Sequence, residues 1–176
     1  MKVIAIIPSR YKSTRLPGKP LIDILGKSMI QRVYEQCTSC SKLTDVIVAT
    51  DDNRILKHVL EFGGKAIITS EYHETGTERC NEIIENLNTQ FDIIVNIQGD
   101  EPYINPLQIN EVIHLFNNPE TQIATLAKKI IALEVIKNKN TPKVMFDKEK
   151  NAINFSRKIP KISTEDTYYK HIGIYA

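Results

Sequence analysis

Basic residues near the N-terminus form the segment best suited to chemistry. Residues 1–19 contain Lys2, Arg10, Lys12, Arg15 and Lys19 and no acidic residue. The segment 8–20, PSRYKSTRLPGKP, interleaves most of these cations with hydroxyls and a glycine. Such a loop suits a polyanionic phosphate ligand, and the alternative is a solvated basic surface loop. The glycine patterns of a Walker loop and of a dinucleotide-binding loop are absent, which argues against those two classes.

Acidic residues follow two apolar runs further along the chain. Asp100 and Glu101 come shortly after Ile93–Ile97, and Asp51 and Asp52 follow Val46–Ala49. Carboxylates opposite a phosphate loop favour Mg²⁺, because the metal and the cations would share one triphosphate. A simple acidic turn would also explain the first pair, and helix capping would explain one residue of the second.

The segment Gly76-Thr77-Glu78-Arg79 lies where a loop enters a helix. Its glycine exposes backbone groups that could bind a planar base, and Arg79 is available for stacking or pairing. A turn with an ordinary helix cap is the competing interpretation.

Alternating strands and helices would position these segments. Short β-branched runs predict buried strands, namely Val3–Ile7, Val46–Ala49, Ala66–Ile68 and Ile93–Ile97. Apolar residues at helical spacing lie between them, with Ser28 and Asp51 or Asp52 as caps. This order predicts an α/β fold with a mostly parallel sheet and helices on both faces. Ligands bind such sheets at the carboxyl ends of the strands, where the segments above fall.

The second half of the sequence predicts further elements in a mixed arrangement. We expect a helix over 106–116, a strand over 123–127, and strands at Lys143–Phe146, Ala152–Phe155 and His171–Tyr175.

Composition excludes several other classes of protein. The 176 residues carry a formal net charge of +2, with 41% hydrophobic residues. This balance argues against a nucleic-acid coat and against a disordered chain. No apolar run approaches the ~18 residues of a membrane span. Three cysteines cannot form a disulfide framework, and an odd number suits a reducing compartment. We therefore expect a cytoplasmic protein. From its charge and its short apolar runs we expect no nucleic-acid and no membrane partner.

These motifs together resemble one enzyme family. PSRYKSTRLPGKPL, ATDD, GTER, IVNIQGDEP, INFSRKIP and HIGIYA occur in the order and spacing of 3-deoxy-manno-octulosonate cytidylyltransferase, also called CMP-KDO synthetase. The resemblance runs from Lys2 to Tyr175 and implies a Rossmann-like nucleotidyltransferase fold. It implies transfer of CMP from CTP to the anomeric hydroxyl of the acidic sugar KDO, with release of pyrophosphate, for lipopolysaccharide biosynthesis.

The resemblance also implies roles for individual residues. Arg10, Lys19 and Asp100 are expected to be catalytic. The triphosphate would be held by Arg10, Ser13, Arg15 and Lys19, and the cytosine and ribose by Thr77 and Arg79. Asp100 would bind the Mg²⁺ cofactor. The KDO pocket would be lined by Gln98, Arg157, His171 and Tyr175.

The resemblance further predicts how the chain is organised. Residues 1–130 would form the nucleotide-binding core, and residues 131–176 a partial sugar-binding and dimerisation region. Family members continue past the HIGIY strand, so we expect a shortened chain whose metal site and homodimer are impaired. Two alternatives stay open: a cytidylyltransferase for another acidic sugar, and a nucleotide-binding remnant without turnover.

Overall fold

The computed structural model describes residues 1–12, 16–159 and 167–176. These residues form two compact units, of which the first is Met1–Ala124 with Ile174–Ala176. The second is Thr125–Gly173. The boundary predicted after residue 130 therefore falls inside the second unit. Ser13 and Arg15, predicted to bind phosphate, lie outside the described residues.

The first unit contains a parallel sheet. Its strands, in spatial order, are β5 (Ala66–Ile68), β4 (Asp45–Thr50), β1 (Val3–Ser9) and β6 (Ile93–Ile97). The end of β10 (Tyr169–Tyr175) pairs antiparallel with β6 through Ile174 and Tyr175. A small hairpin of β2 (Asp23–Ile24) and β3 (Lys27–Ser28) follows the first loop. The predicted parallel sheet and its four strands are confirmed.

Four helices accompany this sheet: α1 (Met29–Thr38), α2 (Asn53–Glu61), α3 (Gly76–Asn86) and α4 (Pro106–His114). The predicted caps are confirmed for two of them. Ser28 Oγ accepts from the Gln31 N–H at the start of α1, and Asp52 accepts from the Arg54 N–H at the start of α2. Each cap satisfies a backbone donor that the first helical turn leaves unpaired.

The core explains why helices cover both faces of the sheet. Ile4 and Ile6 pack with Cys80 and Ile83 of α3. Side chains alternate along a strand, so Ile7 points to the opposite face, where α1 lies. Every residue of this group is almost fully buried. Burying one such isoleucine contributes about 1.5–3 kcal/mol, so the apolar runs themselves hold the strand ends in place.

The second unit is antiparallel. Its elements are β7 (Thr125–Lys129), α5 (Leu133–Lys137), β8 (Lys143–Phe146), β9 (Ala152–Ser156) and the Tyr169–Gly173 part of β10. β8 pairs with both β9 and β10, and β7 pairs with β10.

The structure differs from the prediction for one strand and two helices in the second half of the chain. The strand expected over 123–127 is β7, two residues later, and Ile123 is exposed instead of paired in a strand. The helix expected to reach residue 116 ends at His114, and a short 3-10 helix, Leu115–Asn117, follows it. Helix α5 was not predicted, because one and a half turns are too short to display helical periodicity. Among the described residues, the structure contains no helix with the length and apolarity needed to cross a membrane.

Candidate nucleotide-binding site

The loop after β1 returns to its starting point at Gly18. The Gly18 N–H donates to the Tyr11 carbonyl oxygen at 2.9 Å. Gly18 has a φ of 69°, in the left-handed region that favours glycine, and the 3-10 helix Lys19–Leu21 follows directly. This closure returns the chain to the end of β1, where Lys19 and Arg10 line the same pocket.

Arg10 and Lys19 line a pocket of about 220 Å³ at the carboxyl ends of β1 and β6. Its lining residues come from three stretches of the chain, each at or next to a strand or helix end: Pro8, Ser9, Arg10, Lys19, Pro20, Gly76, Gln98, Gly99 and Asp100. Three segments singled out from the sequence therefore meet at one place. The basic loop and the acidic residue at position 100 face each other across this pocket.

A salt bridge crosses the pocket. Lys19 Nζ lies 2.5 Å from Asp100 Oδ2, and the two side chains are 31% and 48% exposed. Without a ligand the carboxylate therefore offsets the charge of Lys19, while Arg10 adds a second cation to the pocket wall. A phosphate ligand would compete with Asp100 for Lys19, and a cation bound beside Asp100 would release Lys19 for the phosphate.

Two glycines allow the walls of the pocket to approach the end of β1 closely. A Cβ atom on Gly76 would lie 3.0 Å from Pro8 Cγ, and one on Gly99 would lie 3.0 Å from the Pro8 carbonyl oxygen. Both distances are tighter than ordinary van der Waals contacts, so side chains here would push the pocket walls apart. Gly76 was singled out from the sequence for its exposed backbone groups, whereas Gly99 was not, because its role depends on contacts with a distant segment.

Ser9 is a further site residue that the sequence did not reveal. Its hydroxyl is buried and has no hydrogen-bond partner among the described residues. Buried polar atoms are nearly always paired, so an unpaired hydroxyl in a pocket wall is available to a ligand. The residue types were visible in the sequence, but the burial was not.

The described residues contain no group of three or more His, Cys, Asp or Glu side chains close enough to hold a metal ion. Asp100 is the carboxylate that lines the pocket. Among the described lining residues, the pocket therefore offers one carboxylate of the type that Mg²⁺ prefers.

Thr77 and Tyr175, predicted for the nucleotide and the sugar, line a different cavity of the first unit. This cavity of about 530 Å³ lies between α3 and β6 and has apolar walls that include Ile84 and Ile94. Burial raises the pKa of the Tyr175 hydroxyl. Neither residue is among those lining the pocket of Lys19.

Arg79 requires a correction. It was expected to contact the nucleotide, but its side chain is completely buried. Its guanidinium donates to Asp51 Oδ2 at 2.8 Å and also to the Thr69 hydroxyl. The residue therefore joins α3 to the ends of β4 and β5, and no surface of it is accessible to a ligand. Asp51, one of the two acids after β4, serves as its counter-ion.

Arg157 and His171, predicted for the sugar pocket, lie in the second unit. Arg157 is exposed, and its Nη1 donates to the Asn140 carbonyl oxygen at 3.2 Å. His171 is buried, lies 2.9 Å from the Thr125 hydroxyl through Nε2, and meets the Phe155 ring edge-on. Burial lowers the pKa of His171, so its imidazole is neutral near pH 7.

Sequence comparison now defines the class to which this fold and pocket belong. The family model described as "Cytidylyltransferase" matches residues 4–176, and the chain therefore belongs to the cytidylyltransferase family.

The more similar relatives carry one name. The chain is 48% identical over 186 residues to a 3-deoxy-manno-octulosonate cytidylyltransferase of Cytophaga hutchinsonii, covering 100% of this chain and 74% of the relative. It is 49% identical over 179 residues to the protein of that name from Fusobacterium nucleatum, covering 99% and 72%.

A solved structure agrees with these relatives. CMP:2-keto-3-deoxy-manno-octonic acid synthetase, solved in complex with CTP, matches with a TM-score of 0.92 and 42% identity. The match covers 99% of this chain and 73% of that protein. The fold is thus the Rossmann-like nucleotidyltransferase fold that the sequence predicted.

Proposed function

We propose that this chain transfers CMP from CTP to the anomeric hydroxyl of KDO and releases pyrophosphate, a reaction that serves lipopolysaccharide biosynthesis. One observation carries the proposal: Arg10, Lys19 and Asp100 line a single pocket at the strand ends, in a chain about half identical to named KDO cytidylyltransferases. The similarity supports the cytosine base and the sugar. The pocket supports the triphosphate.

The chemistry requires charge neutralisation more than covalent help. The hydroxyl oxygen of KDO attacks the α-phosphorus, the bond from that phosphorus to the bridging oxygen of the β-phosphate breaks, and the hydroxyl proton is lost to solvent. Arg10 and Lys19 bind and orient the triphosphate and stabilise the charge that develops on the leaving pyrophosphate. Ser9, whose hydroxyl is unpaired among the described residues, donates a hydrogen bond to a phosphate oxygen. Ser13 and Arg15 remain proposed triphosphate ligands.

Asp100 is the proposed Mg²⁺ ligand. Mg²⁺ is commonly held by one or two carboxylates together with substrate phosphates and water, and Asp100 fits the role of such a carboxylate. The bound metal would neutralise phosphate charge and lower the pKa of the attacking hydroxyl. Asp100 would then exchange its pairing with Lys19 for the metal, and Lys19 would turn to the triphosphate.

The sugar residues keep their proposed roles. Gln98 lines the pocket next to Asp100, which supports a contact near the reacting phosphate. An exposed guanidinium such as that of Arg157 can bind the KDO carboxylate with two parallel hydrogen bonds. His171, held neutral by burial, would act through hydrogen bonding instead of charge. Thr77 and Tyr175 are proposed for the nucleoside end and the sugar, respectively.

A coupled assay of pyrophosphate release tests the proposal. Purified protein with Mg²⁺ is given CTP and KDO, with sialic acid replacing KDO in one arm and UTP replacing CTP in another. We expect release that requires both CTP and KDO. Faster release with sialic acid would favour a cytidylyltransferase for another acidic sugar. If calorimetry shows CTP binding but no pyrophosphate is released, the result would favour a nucleotide-binding protein that lacks turnover.

We also propose a homodimer and a cytoplasmic location. An association surface is supported by the exposed apolar side chains of the second unit, among them Met145, Ile153 and Phe155. Sedimentation velocity tests the dimer, with Ile153→Lys expected to shift the protein toward monomer. The cytoplasm is supported by three free, buried cysteines, Cys37, Cys40 and Cys80, which suit a reducing compartment.

A further inference from the structure

Arg54 stacks on the ring of Tyr11, in the loop after β1. Its Cζ lies 3.3 Å from the centroid of the Tyr11 ring. The guanidinium is fixed from its edge by Asp52, which accepts from Nε at 2.9 Å and from Nη2 at 2.7 Å. Asp52 is also the N-cap of α2, so Arg54 and the carboxylate that binds it both belong to the start of that helix. The Tyr11 ring is therefore tied to the second strand–helix unit of the sheet.

Tyr11 also closes the base of the loop. A Cβ atom on Gly18 would lie 3.2 Å from atoms of the Tyr11 ring, and the Tyr11 carbonyl oxygen accepts from the Gly18 N–H. Tyr11 thus contacts both Gly18 and Arg54. Arg10 precedes Tyr11 and Lys19 follows Gly18 in the chain, so the contact that joins positions 11 and 18 also sets the separation of the two cations in the pocket.

We infer that Arg54 is a positioning residue for triphosphate binding: through its stack on Tyr11 it holds Arg10 and Lys19 at the spacing the phosphates require. This inference rests on the proposed function. Arg54 does not line the pocket, so the effect reaches the phosphates through Tyr11. The competing explanation is that the charge of Arg54 attracts CTP directly.

A double-mutant cycle separates these two explanations. Tyr11→Leu removes the aromatic face, Arg54→Met removes the charge but keeps the aliphatic stem, and Tyr11→Phe keeps the face. Lys57→Met is the matched control, because Lys57 is an exposed cation of the same helix. Arg54 is exposed, so its replacement leaves the core intact. Dissociation constants for CTP and for cytidine are measured by calorimetry on the full chain.

We expect each of the two disrupting variants to weaken CTP binding by about two- to fivefold, the scale of a cation–π contact. The double variant should be no weaker than the single ones, and Tyr11→Phe and Lys57→Met should match the wild type. Cytidine affinity should not change. An undiminished effect of Arg54→Met in the Tyr11→Leu background would instead establish direct attraction and overturn the inference.

Two other results would also overturn it. An equal loss for CTP and cytidine would mean a general structural defect. Unchanged CTP affinity in every variant would mean that the stack does not position the loop. Failure of the wild type to bind CTP would overturn the proposed function as well, so the two failures are distinguishable.

Discussion

Replacing Asp100 with asparagine should affect binding and turnover in opposite directions. In the absence of metal, a phosphate must compete with Asp100 for Lys19. Both side chains are partly exposed, and a salt bridge of this kind is worth about 0.2–1 kcal/mol. Asp100→Asn should therefore tighten CTP binding in metal-free buffer by about 1.4- to fivefold. Removing a negative charge close to the phosphates should tighten CTP binding further.

The turnover of the same variant should collapse. Without the carboxylate the metal loses its proposed protein ligand, and we expect Mg²⁺-dependent pyrophosphate release to fall by at least about 100-fold. CTP titration calorimetry in EDTA and pyrophosphate release with Mg²⁺ measure the two effects. Glu101→Gln is the matched control, because Glu101 is the adjacent exposed carboxylate and does not line the pocket. Weaker CTP binding in EDTA, or turnover equal to wild type, would refute the reasoning.

Three further predictions concern the loop, the buried arginine and pH. Arg10→Ala should weaken CTP binding by roughly tenfold or more, which is the scale of a charged hydrogen bond, and should leave cytidine binding unchanged. Lys12→Ala is the control. Equal losses of CTP and cytidine affinity in Arg10→Ala would exclude a phosphate role for Arg10. Arg79→Met should lower the free energy of unfolding by about 3–5 kcal/mol, because it leaves a partly buried carboxylate unpaired, and urea denaturation showing a loss below about 1 kcal/mol would contradict this. The hydrogen bond from the Ser70 N–H is the largest cause of the lowered pKa of Glu82. The ionised Glu82 carboxylate therefore stabilises the folded protein above the unfolded pKa of 4.5, and this stabilisation is lost as pH falls through the lower folded pKa. The stability difference between wild type and Glu82→Gln should therefore narrow between urea titrations at about pH 7 and about pH 3, and a constant difference would contradict it.

The sheet was predicted well from the sequence, because the pattern that marks each of its strands is local. Runs such as Val3–Ile7 are β-branched and apolar throughout, which marks strands buried on both faces. Ser28 and Asp52 are side chains whose preference for helix starts is equally local. The second unit was predicted less accurately, because its strands are partly exposed and α5 is too short to show a period.

The candidate site was also predictable only in part, and again the predictable part is the one with local signals. The basic loop and Asp100 could be found because strand ends of a parallel sheet meet at one edge. The burial of Arg79 could not be found, since it depends on Asp51 and Thr69 arriving from two other strands. The roles of Gly76 and Gly99 likewise depend on a close approach to Pro8, which no local pattern encodes.

A crystal structure of this protein with CTP and Mg²⁺ tests the central claim most directly. The account predicts triphosphate oxygens within hydrogen-bond distance of Arg10 and Lys19, with the metal against Asp100. CTP bound with its phosphates elsewhere, for instance in the apolar cavity beside α3, would contradict it.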